Sequence, residues 1–469
     1  MLMSVAFLLS ALVQFGLGLV LAALLGPAEF GVYAIGFAAS VVAQTLFYEA
    51  MRLSITRFAG GAGGLPLLFR IGLAVPMVLA VVALAFVLVR GGDRAFLLAT
   101  GIVAAIIMGL AECRAAWLRA HFAETSYAVL LLLRTGLSLV LMPLAAIHTQ
   151  RADAVLAAFA LSIVLAMGMH RAFFRKLLAA VAGGDYPNPL AMFAYALPIV
   201  ATNVAYLGLL LALRLSMAQE AGLAEAGRFS LALDLVGKLV MTLGTALDLW
   251  LFQLAVRAER EGGDAAGQQQ LTRNFGRIVA LLAPAMLGLW LVLPSLEALI
   301  VAPSFRGAFT WHAAMLIPGL LAYGIVQYAL HPFHQIAKRT TILLVAALLS
   351  LVSTLLVLTL APALRLPALI VPALALMVAM LLALLLLGWW RDRSVPLMER
   401  ALPGQLALAL GAMLIAVAPM RYVLEPGATA LLASIIMGVI AYGVVAWALD
   451  LAGLRGLVLD QRRRTKNGA

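Results

Sequence analysis

Apolar runs of roughly 20 residues, each long enough to cross a hydrocarbon layer about 30 Å thick, recur from Met3 to Leu449 with only short polar breaks. The pattern predicts about fourteen membrane helices, near 3–25, 31–51, 71–89, 95–117, 127–147, 154–174, 191–213, 229–252, 278–301, 311–334, 341–362, 367–390, 404–422 and 428–449. An even number of crossings puts both ends of the chain on one side. The polar gaps reach roughly twenty residues, well short of the roughly 50 that a small soluble domain needs. The first run has no Lys or Arg before Arg52 and leads straight into further spans, so it reads as a first membrane helix and not as a cleaved leader.

Composition sharpens this picture. Hydrophobic residues make up 65% of the 469 and charged residues 11%, against roughly 25% charged in soluble domains, which excludes an ordinary water-soluble fold. The single cysteine, Cys113, rules out an intrachain disulfide and sits in an apolar stretch as a small core residue. A net charge of +12 would also fit a nucleic-acid binder, but the basic residues fall in short clusters between apolar spans. Arg52, Arg57 and Arg70, Arg171 to Lys176, Arg257 to Arg277, Lys338 with Arg339, Arg391 to Arg400 and the tail RGLVLDQRRRTK all fall on one side. The other side keeps isolated cases such as Arg151, Arg306 and Arg421. The positive-inside rule then places both termini in the cytoplasm, and no nucleic-acid partner is expected.

The chain also repeats itself. GPAEFGVY at 26–33 is matched by GLAEAGRF at 222–229, with Gly26, Ala28, Glu29, Gly31 and Tyr33 against Gly222, Ala224, Glu225, Gly227 and Phe229. FRIGLAVP at 69–76 is echoed by GRIVALLAP at 276–284, setting Arg70 against Arg277 and Pro76 against Pro284. Two matches in order and near one offset argue for duplication. The resulting expectation is an all-α polytopic membrane protein. An N-terminal six-helix bundle (1–176) and a linker (177–190) precede a second six-helix bundle (191–393), an added helix pair (394–450) and a basic cytoplasmic tail (451–469). Both copies begin on the same side, so the pseudo-twofold axis runs along the membrane normal, the plan in which substrate sits between bundles and access alternates.

Ionisable residues within spans cost about 2.5–3.5 kcal/mol at the bilayer centre, so each must face protein, water or ligand. Asp234, Lys238, Thr242, Thr245 and Asp248 recur every three or four residues on one face of the span near 229–252. Ser40, Gln44, Tyr48 and Arg52 do the same on its equivalent near 31–51. In the repeat Arg52 falls against Asp248 and Glu49 against Thr245, so the two stripes read as opposite walls of one cavity. Asp234 and Lys238, four apart, also fit a mutual ion pair, and Glu49 with Arg52 a local one. Arg134 has no acid within a turn of its own helix and either reaches for the inner surface or serves a phosphate. Glu112 and Arg114 read as packing residues. Arg214 reads as an interfacial anchor or as an exit-side phosphate contact.

Motifs of catalysis are missing. GGAGGLP at 60–66 is followed by no Lys-Ser or Lys-Thr and is not a nucleotide-phosphate loop. There is no HExxH, no GxSxG and no paired-cysteine site, and HPFH at 331–334 offers two histidines without a third ligand. Neither a cofactor nor a metal is expected, and no enzymatic activity.

The segment LLGPAEFGVYAIGFAASVVAQTLFYEAMRLSITRF at 24–58 resembles the polysaccharide-export, or oligosaccharide flippase, branch of the multidrug, oligosaccharidyl-lipid and polysaccharide exporter superfamily. Leu25, Gly26, Pro27, Glu29, Gly31 and Tyr33, then Arg52 and Arg57, carry the likeness, and Pro198 and Arg214 in YALPIVATNVAYLGLLLALRLSM at 195–217 extend it. Ala22 and Ala23 stand where that family often has a basic residue, and Leu213 where an acid is common. The resemblance implies a bacterial inner-membrane flippase. Its cargo would be an oligosaccharide on undecaprenyl diphosphate, moved from the cytoplasmic to the outer leaflet amid membrane lipids, with a polysaccharide polymerase and chain-length regulator as partners. It implies Arg52, Arg134 and Lys238 as ligands of the diphosphate, Arg214 as an outer contact, and Asp234, Asp248 and Glu49 as cavity residues. Two alternatives stand beside it: a cation-coupled drug antiporter of the same superfamily, which needs a membrane-buried acid such as Asp234 or Asp248, and a membrane glycan ligase or glycosyltransferase.

Overall fold

The computed structural model describes residues 2–58, 95–168, 189–337, 339–391, 395–453 and 455–456, with isolated positions between 77 and 91. Every regular element among them is helical. The predicted span at 71–89, the repeat copy at 69–76, the linker at 177–190 and most of the basic tail lie largely or wholly outside the described residues. Among the described residues, ten helices are long and apolar enough to cross a membrane, two of them bent, and Ala152–Gly168 is a shorter apolar helix. The chain is a multi-pass membrane protein.

Two compact units divide it at Leu231 and Ala232. The first holds α1 (Leu2–Phe58), α2 (Ala95–Ala120), α3 (Glu124–Thr149), α4 (Ala152–Gly168), α5 (Pro189–Glu220) and the opening turns of α6 (Leu223–Ile300). The packing units and the sequence repeat therefore part the chain at different places, because α5 lies against α1. Arg214, expected near the surface, is in fact buried and donates through Nη1 to the Ala34 carbonyl oxygen at 3.4 Å. An arginine so enclosed ties two helices together, which corrects its reading as an interfacial anchor.

The matched octapeptides explain how these helices begin. Gly26 breaks α1 into two limbs with φ 71°, and Gly222 precedes α6 with φ 88°. Both copies of the motif thus need glycine for a left-handed turn that a Cβ disfavours. One residue on, Pro27 suits the first turn of the second limb, where no helical N–H is required. Gly31 and Gly227 lie where the second limb of α1 crosses the start of α6. A Cβ on Gly31 would overlap the Leu223 carbonyl oxygen, and one on Gly227 the Pro27 carbonyl oxygen. Leu223 holds the place of Pro27 in the repeat, so the contact is reciprocal, as across a local twofold. Glu29 accepts the Ala152 N–H at 2.8 Å and so caps α4.

Small residues and hydroxyls also join the remaining helices of this unit, as expected in lipid, where apolar burial alone gives no preference for helix contact. Ser40 donates to the Gly101 carbonyl oxygen at 3.0 Å, and Ser138 and Ser162 share a hydrogen bond of 2.8 Å. The Tyr48 ring fills the space left by the missing side chain of Gly109.

The second unit contains most of α6, which bends at Gly263 (φ 74°), then α7 (Ala308–Gly324), a π-helical turn (Ile325–Leu330), α8 (His331–Ile336), α9 (Thr340–Leu360) and α10 (Val371–Trp390). A last set follows: α11 (Leu402–Val417), the short α12 (Met420–Val423) and α13 (Ala428–Ala448). The two limbs of α6 are linked by Asn274, whose Nδ2 donates to the Leu251 carbonyl oxygen at 2.6 Å. Gln405 on α11 bonds the Leu449 carbonyl oxygen beyond the end of α13, and the Tyr442 hydroxyl on α13 bonds that of Ala280 on α6. The final pair is thereby fixed to the second limb of α6.

Candidate functional site

One end of the first unit contains a cavity of about 180 Å³ between α1, α2, α3 and α4, lined by Arg52, Glu112, Arg119, Tyr127 and Arg134 together with Ala111, Leu130, Ile163 and Ala166. Helical spacing builds it. Glu112, Ala115 and Arg119 recur at three and four residues on α2, and Tyr127, Leu130, Leu131 and Arg134 recur likewise on α3, so each helix turns one stripe to the same hollow. Short Ala111 and Ala115 leave room for long guanidinium groups to fold in.

The cations are held by carboxylates without being cancelled. Arg52 donates through Nε to Glu49 Oε2 at 2.6 Å, the local pair that the sequence allowed. Arg134 donates through Nη1 to Glu112 Oε1 at 3.0 Å. Its partner lies on the neighbouring helix, 22 residues away in the chain, and not within a turn along α3. The guanidinium of Arg119 lies over the Tyr127 ring, 5.5 Å from its centroid, an attraction of charge to the ring face that leaves the in-plane N–H donors available. Three guanidiniums against two carboxylates leave a net positive wall.

Arg114, on the same helix as Glu112 but turned to another face, plays a different part. It is buried, and its Nη1 donates to the Met167 carbonyl oxygen at 2.9 Å, closing the C-terminal end of α4. This agrees with the packing role expected of it. Sequence reasoning missed Arg119 and Tyr127 altogether. The seven-residue spacings from Glu112 to Arg119 and from Tyr127 to Arg134 were the available signal.

The structure therefore brings Arg52 and Arg134 to one cavity, with Glu49 bracing the first. Asp234, Lys238 and Asp248 belong to the second unit, partly buried along α6. There the Tyr328 ring from the π-turn fills the space beside Gly244, and its hydroxyl lies 3.3 Å from Thr245 Oγ1 and 3.4 Å from the Met241 carbonyl oxygen. Asp248 forms no ion pair among the described residues. Arg214 stands apart from the cavity, committed to Ala34.

HPFH at 331–334 gives no metal centre: His331 and His334 are buried, His334 Nε2 lies 3.1 Å from the Leu387 carbonyl oxygen, and no group of three potential ligands occurs among the described residues. Glu29, the acid in the turn between the two limbs of α1, is engaged as the cap of α4.

The chain has apolar helices with charged side chains turned into a hollow between them. Its fold is similar to that of the solved Lipid II flippase MurJ in an inward closed conformation, with a TM-score of 0.69 at 14% identity over 97% of this chain and 99% of that one. It is also similar to the MATE multidrug transporter DinF-BH, solved with a bound ligand, with a TM-score of 0.57 at 13% identity over 83% of this chain and 96% of that one. An inward-facing multidrug resistance MATE family transporter of the MOP superfamily matches with a TM-score of 0.51 at 13% identity over 83% and 93%. No protein-family profile matches the sequence, and no curated protein sequence matches it. The chain thus has the fold of flippases and multidrug exporters of that superfamily, and the solved proteins it resembles are transporters, not enzymes.

Proposed function

We propose that the protein is a flippase that carries an oligosaccharide linked to undecaprenyl diphosphate from the cytoplasmic to the outer leaflet of a bacterial inner membrane, by alternating access, for surface polysaccharide synthesis. Both termini lie in the cytoplasm in this reading, and a polymerase and chain-length regulator act on the product.

The observation that carries the reading is the convergence of Arg52, Arg119 and Arg134 on one cavity. A guanidinium presents parallel N–H groups that match two oxygens of a phosphate, and the match strengthens where water is sparse. Glu49 and Glu112 limit the cost of holding these cations within the bundle and keep them oriented. A diphosphate offers more oxygens than either carboxylate and competes for the outward N–H groups, so entry and release amount to an exchange of partners. Tyr127 gives the headgroup a flat face. The near end-to-end likeness to a lipid II flippase supports a lipid-linked cargo. Lys238, with Asp234 and Asp248, gives the second unit charge of its own, and Arg214 holds α5 in place against α1.

The test is to disrupt the gene and follow labelled glycan with a reagent that cannot cross the membrane. Lipid-linked repeat units should accumulate where the reagent does not reach them. Accumulation of accessible units, or of polymer still on its carrier, would contradict the reading.

One observation favours a second reading. Asp248 lacks a basic partner among the described residues and sits beside the hydroxyls of Thr245 and Tyr328, an arrangement that suits a cation or proton, and hence a drug antiporter.

A further inference from the structure

At the end of the second unit away from the charged bend of α6, the second limb of α6 meets α12 and the start of α13 around a cavity of about 350 Å³. Arg421 lines it. Its guanidinium lies over the Trp290 ring, 5.3 Å from the centroid, and makes no hydrogen bond or ion pair with any described residue, Glu425 included. A ring face draws on the charge of a guanidinium and leaves its five in-plane N–H donors unused.

Two hydroxyls from different helices line the same cavity, Ser295 on α6 and Ser434 on α13. They are 8% and 7% exposed, and neither makes a hydrogen bond among the described residues. Serines in membrane helices ordinarily bond a carbonyl one turn back, as Ser40, Ser138 and Ser350 do here. The hydroxyls of Ser295 and Ser434 forgo that bond and stay open to the cavity, free to donate to a ligand there.

Pro426 and Ala430 bring the first turn of α13, a helix of 21 residues, to the cavity wall, and the N–H groups of such a turn favour an anion. The remaining wall is apolar, with Leu291, Pro294 and Met420. Arg421, Tyr422 and Val423 are all exposed, the last two 92% and 76%, so the cavity is open to a ligand from outside the bundle.

We propose that this cavity binds the phosphate diester of an anionic membrane phospholipid, held by the N–H groups of Arg421 and the hydroxyls of Ser295 and Ser434. Its acyl chains lie along the exposed apolar face of α13, where Leu432 and Ile436 are 60% and 57% exposed. The lipid is a resident one, not cargo, and it fastens the final helix pair to the second limb of α6. The inference stands whichever substrate the protein carries.

The test uses the full chain, purified and stripped of lipid in detergent, titrated with dihexanoyl phosphatidylglycerol. Binding is read by native mass spectrometry and by tryptophan fluorescence, since Trp290 lies under the arginine. Saturable binding is expected, weakened by about tenfold in Arg421→Ala, less in Arg421→Lys, and several-fold in the Ser295→Ala/Ser434→Ala double variant, which removes no packing volume beyond two oxygens. Arg365→Ala should bind as the parent protein does. Dihexanoylglycerol, which has no phosphate, should not compete. Parental affinity in both the arginine and the serine variants overturns the proposal, as does equal binding of dihexanoylglycerol. Inorganic phosphate competing as tightly as the lipid overturns the assignment to a phospholipid.

Discussion

Gly31 and Gly227 face each other across a helix crossing so close that neither position has space for a Cβ, each being stopped by a backbone carbonyl of the other segment. They are also equivalent positions of the sequence repeat. A duplicated motif that meets its own copy must satisfy the same constraint on both sides, which accounts for glycine in both.

Gly227→Ala should therefore lower thermal stability by about 1–3 kcal/mol, the range for overpacking, because only backbone movement can relieve the clash. Gly237→Ala, with open space around its would-be Cβ, should keep the melting temperature or raise it slightly. Fluorescence-detected thermal melts of the two variants make the comparison.

Removing Arg134 leaves Glu112 facing the hollow without its partner. Arg134→Ala is expected to cut glycan export by about tenfold or more, and loss of the ion pair to cost about 1–3 kcal/mol of stability, part of which Glu112→Gln should restore in the double variant. Export should not recover with stability. If it does, the arginine is structural only.

Arg119 and Tyr127 enter the site only through the structure, and they supply an independent check on it. Arg119→Ala and Tyr127→Ala should each lower export several-fold with the protein still present in the membrane at its normal level, as quantitative blotting of membrane fractions would show.

Asp248→Asn separates the two transport readings. Glycan export should fall by less than about threefold in this variant and by more than about tenfold in Arg52→Ala, since only the guanidinium can pair with a diphosphate. The opposite order, together with loss of drug resistance, would indicate cation-coupled antiport.

The bundle was legible because its signals are local and strong. Apolar run length locates spans, and the glycines at 26 and 222 mark real left-handed turns. Interhelical chemistry was less legible. The partner of Arg134 is 22 residues away on another helix, and nothing along α3 announces it. Arg214 resembles a surface anchor because it stands near the end of its predicted span, while the packing of α5 on α1 buries it. Tyr48 and Gly109 show the same limit. The repeat sets Tyr48 against Gly244, so in one unit α1 supplies the ring and α2 the gap, while in the other α6 supplies the gap and Tyr328 the ring. Complementary volumes were kept and their owners exchanged, which aligned sequences cannot display.

The π-turn at Ile325–Leu330 has a bearing on how far this helix tolerates changes in length. The His331 N–H bonds back to the Val326 carbonyl oxygen, five residues away in place of four, so the turn absorbs one more residue than an α-helix would. Everything after it is rephased by about 100°, the angle of one helical step. Tyr328 can then address Thr245 while His334 turns inward to Leu387. Deleting one residue within the turn would cancel that rephasing and leave both histidines on their faces, so this stretch should accept a one-residue deletion that the regular turns of α7 would not.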